Sequence, residues 1–153
     1  MKRLLTPFVL LALLGTFVTG CTNASRIIAT GLSVEVTGIQ RTSDGLVTAT
    51  WHVSNANIGP YLLSRVSHKI KLNGTYIGTV LDEEPLAILP GNKAGRTSKL
   101  TGGNAASDQV VKDAVARGSA NYQLDTQITI LIYDETVEKS VLANFGTVPV
   151  TGK

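Results

Sequence analysis

Two histidines are all the chain offers for proton transfer or metal binding by imidazole. His68 falls among Val66, Ile70 and Leu72 at alternate positions, the apolar face of a strand. A histidine there is expected to be a hydrogen-bonded core group, because burial without a partner is unfavourable. His52 falls on the wet face of its own strand, with Thr48, Thr50 and Ser54. A metal centre needs further His, Cys or carboxylate ligands grouped beside it, and no spacing supplies them, so no metal and no cofactor are expected. Asp82-Glu83-Glu84 lacks the spaced oxygen ligands and the glycine of a calcium loop and reads as a solvated turn. Gly102-Gly103 is followed by no Gly-Lys-Ser/Thr, and no Gly-x-Ser-x-Gly elbow occurs. Arg65, Lys69 and Lys71 make a basic stripe, read as a solvated sheet face, with anionic lipid headgroups as the sharper alternative. Trp51 stands on an apolar face and is expected in the core, with sugar stacking as the alternative. No nucleophile–base pair can be assembled from these residues, so the expected protein is not an enzyme.

The sole cysteine, Cys21, has a different setting. Lys2 and Arg3 precede a nearly unbroken run of apolar or small residues from Pro7 to Val18, and Thr19-Gly20-Cys21 follows. That order is a secretory leader, and the run is too short for a comfortable membrane span of roughly 20 apolar residues. Val18-Thr19-Gly20-Cys21 resembles a lipobox, the cleavage site of bacterial lipoproteins. The resemblance implies a signal peptide over 1–20, cleavage before Cys21, diacylation (palmitate-like chains) on its sulfur and acylation of its new amine. Such chains exceed the two signals that stable anchoring needs. A lone cysteine has no disulfide partner within the chain, which agrees with this role. Thr22, in place of Asp, points to the outer membrane facing the periplasm. Residues 21–30 read as a lipidated tether.

The charge balance belongs mostly to the leader. The sequence has 14 basic and 11 acidic side chains. Without Lys2 and Arg3, 12 basic side chains face the same 11 acidic ones. A near-neutral domain has no electrostatic case for nucleic acid.

The remaining 31–150 must position whatever the domain presents. Leu32, Val34 and Val36 alternate with polar residues, as do Val47, Ala49, Trp51 and Val53, and Ser43-Asp44-Gly45 lies between them, which predicts an antiparallel hairpin. Asn55 to Pro60 is a loop. A third strand carries Val66, His68, Ile70 and Leu72. Asn73-Gly74 then predicts a type I′ turn and a returning strand from Thr75 to Val80. Leu86–Leu89 and Lys93–Leu100 follow, the latter polar and near an edge. One helix is predicted over 105–117, with Asp108 in its first turn, Arg117 in its last and Gly118 to end it. Tyr122–Tyr133 and Val137–Val150 are the last strands. Frequent turns between short strands predict a mostly β fold, an antiparallel β-sandwich.

Residues 32–100 resemble the water-stress and hypersensitive-response (WHy) domain of late-embryogenesis-abundant type 2, or LEA14-like, proteins. That family opens with two alternating strands ending in Asn-Pro-Asn and a hydrophobic patch. Trp51-His52-Val53-Ser54-Asn55-Ala56-Asn57 and Pro60-Tyr61-Leu62-Leu63 take those places. Asn73-Gly74 and Ile88-Leu89-Pro90-Gly91 match the later turn and stop. Ala56 stands where the family prefers proline, which would fix φ and stiffen the turn. The resemblance implies an immunoglobulin- or fibronectin III-like sandwich, no cofactor and no reaction. It also implies a protective role in desiccation, freezing or related stress, acting on client proteins. An accessory module that holds an envelope partner or an apolar ligand is the alternative.

Overall fold

The computed structural model describes residues 31–132 and 135–153. Val18, Thr19, Gly20, Cys21 and the tether lie outside the described residues.

Alternation builds the first hairpin. Strand β1 (Leu32–Arg41) buries Leu32, Val34 and Val36, and β2 (Val47–Asn55) buries Ala49, Trp51, Val53 and Asn55. They pair antiparallel, with a bulge at Thr37 between the Val36↔Trp51 and Gly38↔Thr50 pairs. One extra residue reverses the phase of the pleat, so the next inward side chain of β1 is Ile39.

Strand β3 (Tyr61–Leu72) and β4 (Thr75–Asp82) form the second hairpin. Asn73 and Gly74 join them at φ 48° and 84°, the positive values that a type I′ turn requires. A short β5 (Leu86–Ile88) pairs with the start of β3, and β6 (Lys93–Lys99) pairs with β2. Helix α1 (Ala105–Arg117) follows, then β7 (Ser119–Ile132) and β8 (Glu135–Gly152). The helix begins at a capping box. Asn104 Oδ1 accepts from the Ser107 amide at 3.0 Å, and Ser107 Oγ accepts from the Asn104 amide at 2.6 Å. It ends at Gly118, whose φ of 78° is left-handed, as a C-terminal stop needs.

The strands form one mixed sheet in the order β4-β3-β7-β8-β1-β2-β6, with β5 on β3. The expectation of a wholly antiparallel arrangement is corrected at one place. Ile39–Arg41 of β1 run parallel to Val150–Gly152 of β8, and this short pairing joins two wings into a single curled half-barrel. Inside it pack Trp51, Ile39, Leu63, Ile70, Leu124 and Ile128, none more than 2% exposed. Each such side chain contributes roughly 1.5–3 kcal/mol relative to exposure.

Candidate functional site

The wings meet through an unusual polar interior. His68, on β3, is fully buried and shares a 2.8 Å hydrogen bond between Nδ1 and Thr126 Oγ1 on β7. Its ring stands edge-on to Trp51 of β2, with centroids 4.7 Å apart. Nε2 is buried without a hydrogen-bond partner among the described residues. Burial pushes the imidazole down to about 4, against a weaker upward pull from Asp82. His68 is therefore the neutral core histidine that its strand position predicts. Trp51 likewise fills the core, and its indole N–H donates to Ser98 Oγ at 3.1 Å.

Sequence reasoning misplaced Asp82. Glu83 and Glu84 are exposed as expected, but the Asp82 side chain is only 9% exposed. Alternation along β4 turns it inward after Val80. There it accepts from Arg96 Nη1 at 2.7 Å and from Ser98 Oγ at 3.4 Å. Arg96 also donates to the Glu84 and Pro85 carbonyls at 3.1 and 2.9 Å. A guanidinium is suited to this, since its fork reaches several acceptors in fixed geometry. Arg96 and Ser98 thus stitch edge strand β6 to edge strand β4 where no ladder joins them. Farther along, a backbone bridge between Thr79 and Thr101 closes the same seam. Arg96 was missed in the sequence; the signal was its inward phase between Ala94 and Ser98.

The family-motif turn has a definite structural role. Asn55 is 1% exposed. Its Nδ2 donates to the Gly59 carbonyl at 2.8 Å and the Ile88 carbonyl at 3.3 Å, while Oδ1 accepts from the Asn57 amide at 2.9 Å. Its backbone is bonded to Gly91 and Asn92, and the Ala56 amide donates to the Gly31 carbonyl at 2.8 Å. Asn55 therefore gathers the β2–β3 and β5–β6 loops, and Ala56 beside it ties in the entry to β1. Asn57 packs against Gly31 so closely that any Cβ at 31 would collide with its amide group. Ala56, where the resembling family prefers proline, is exposed and uses its amide on Gly31. A proline would have no such donor.

The opposite end of the half-barrel carries an open cleft of about 690 Å³, lined by Arg41, Asp44, Lys99, Gly102, Gly103 and Asp108 among others. Its charges are largely satisfied internally. Arg41 Nη2 lies 3.0 Å and Lys112 Nζ 2.7 Å from the Asp108 carboxylate. Hydrogen bonds from Lys112 and then Arg41 hold Asp108 below the ordinary carboxylate value. The Asn104–Ser107 capping box occupies donors at the helix N-terminus.

His52 is half-buried on the wet face of β2. Lys69 and Lys71 are exposed on the outer face, and Arg65 faces Glu83 at 3.7 Å. Among the described residues no group of three His, Cys, Asp or Glu side chains is placed to hold a metal ion, and no helix is long and apolar enough to cross a membrane.

No family model matches the sequence. No curated protein matches it either. Solved structures do. The solution structure of an Arabidopsis thaliana protein covers 79% of this chain and 79% of its own, at 14% identity and a TM-score of 0.50. The solution structure of a protein described as late embryogenesis abundant (LEA) covers 95% of this chain and 85% of its own, at 16% identity and a TM-score of 0.48. A crystal structure from Archaeoglobus fulgidus covers 76% and 94%, at 17% identity and a TM-score of 0.45. The Arabidopsis thaliana likeness shows a shared fold and nothing about activity.

Proposed function

We propose that this chain is a non-enzymatic lipoprotein whose LEA14-like domain protects other proteins at the bacterial envelope during desiccation or related stress. The observation that carries the LEA14-like reading is the Asn55-centred turn. The stretch that resembles the WHy motif is the one that knots three segments together, through the buried Asn55 and the Ala56 amide. Two wings facing across a common core are compatible with an immunoglobulin- or fibronectin III-like grouping, which is part of this proposal. The anchor rests on Val18-Thr19-Gly20-Cys21 at the end of the apolar run, and the placement at the outer membrane rests on Thr22. A near-neutral domain whose polar interior is spent on seams suits a passive role. The test is to dry and freeze-thaw a labile enzyme with the domain. Recovery above that given by an inert protein at equal mass is expected, and equal recovery refutes the protective role. Intact-mass analysis of membrane-extracted protein should find acyl chains on Cys21, and Cys21→Ala should leave the membrane fraction.

A second reading is an accessory module for an envelope partner or apolar ligand, and the open, largely polar cleft of about 690 Å³ favours the partner within it. Affinity capture with the lipidated protein distinguishes it, since a single stoichiometric partner would favour holding over general protection.

A further inference from the structure

We infer that the end of the domain formed by the β2–β3 and β5–β6 loops lies on the lipid surface, with Ile58 and Leu89 seated in it. The inference rests on the lipid anchor proposed above. Three observations converge on this end. Ile58 is 100% exposed and Leu89 61% exposed, large apolar side chains that folding has left in water. They are held on one platform, because Asn55 Nδ2 binds the carbonyls of Gly59, directly after Ile58, and Ile88, directly before Leu89. The same platform receives the chain from the tether, since Gly31 is bonded to Ala56.

The chemistry of the loops fits a bilayer interface. Residues 56–60 and 89–92 include no charged side chain. Pro60 and Pro90 are exposed beside the two apolar residues and restrict φ there, so little order remains to be lost on insertion. The tether from 22 to 30 spans at most about 30 Å when fully extended. An acylated Cys21 would therefore hold this end near the headgroups at high local concentration. The cleft end, with Asp44 and Lys99, would face away, separated by the length of β1, about 33 Å for ten residues.

The experiment uses the full-length lipidated protein in vesicles of phosphatidylethanolamine and phosphatidylglycerol, floated to confirm attachment. Single tryptophans are placed by Ile58→Trp, Leu89→Trp and, at the far end, Asp44→Trp, with buried Trp51 as the common background. Lipids brominated on their acyl chains should quench the added emission at 58 and 89 several-fold more than at 44. Floating protein with no quenching at 58 and 89, or with equal quenching at all three sites, overturns the inference and leaves the anchor standing. Protein that fails to float overturns the anchor, and the seating falls with it.

Discussion

Acidifying the medium from pH 6.5 to 4 should cost the folded domain about 3 kcal/mol, with His68 as the chief cause. The unfolded imidazole titrates near 6.5, whereas burial holds the native one at about 4. Above 6.5 both states are neutral and His68 adds no pH dependence. Below 6.5 the unfolded chain binds a proton that the native fold refuses, so stability is lost as pH falls and levels off near 4. At about 1.4 kcal/mol per pH unit, a gap of roughly 2.5 gives about 3.5 kcal/mol in full, of which about 3 is lost by pH 4, where the native imidazole is itself half-protonated. Asp44 and Asp108, whose carboxyls are held below 3.8 by hydrogen bonds, add their own losses only at still lower pH. Urea unfolding followed by Trp51 emission, at half-unit steps from pH 7 to 4, reads the effect. A His68→Leu variant should be less pH-sensitive by nearly the full 3 kcal/mol across that window, whatever its absolute stability. Equal slopes in both proteins would refute the burial argument.

Arg96→Ala should destabilise the domain by about 2–4 kcal/mol, because it leaves the largely buried Asp82 carboxylate without its cation; denaturant midpoints measure it. Arg96→Lys should recover only part of that loss, since an ammonium cannot span Asp82 and two carbonyls together. Asn55→Ala should cost about 2–4 kcal/mol, since it leaves the buried Ile88 carbonyl and the Gly59 carbonyl without a donor, and amide exchange should accelerate in the 56–60 and 89–92 loops. Gly95→Ala should cost about 1–3 kcal/mol by overpacking, because its Cβ would press on the Trp51 carbonyl and stand 2.7 Å from His52 Cα; thermal unfolding checks it.

Much of this architecture was readable where side chains alternate without interruption. The β1–β2 hairpin, the Asn73-Gly74 turn, the polar edge strand and the 105–117 helix all follow from local pattern, and each appears. Strand lengths were harder. The third strand reads as starting near Arg65, but β3 begins at Tyr61, because a bulge between Leu63 and Arg65 reverses which residues face inward. The same device at Thr37 hid the second half of β1. A period-2 search stops at each bulge although the hydrogen bonding continues past it. The role of Asp82 was hidden for another reason. Its neighbours Glu83 and Glu84 suggested a solvated cluster, and only the approach of β6 from a distant part of the chain supplies Arg96. His68 and Trp51 were legible as core residues, but their edge-on contact depends on the curl of the sheet, which no local pattern encodes.

The short parallel register between β1 and β8 sets the timetable of folding. The first and last strands among the described residues are neighbours, so the two wings cannot join until β8 has been synthesised. Contacts of such wide sequence separation slow folding, and the expense of closing a long loop comes before any reward. For the exported lipoprotein proposed above, a domain that closes so late would stay threadable in transit, its core setting only once β8 has reached β1.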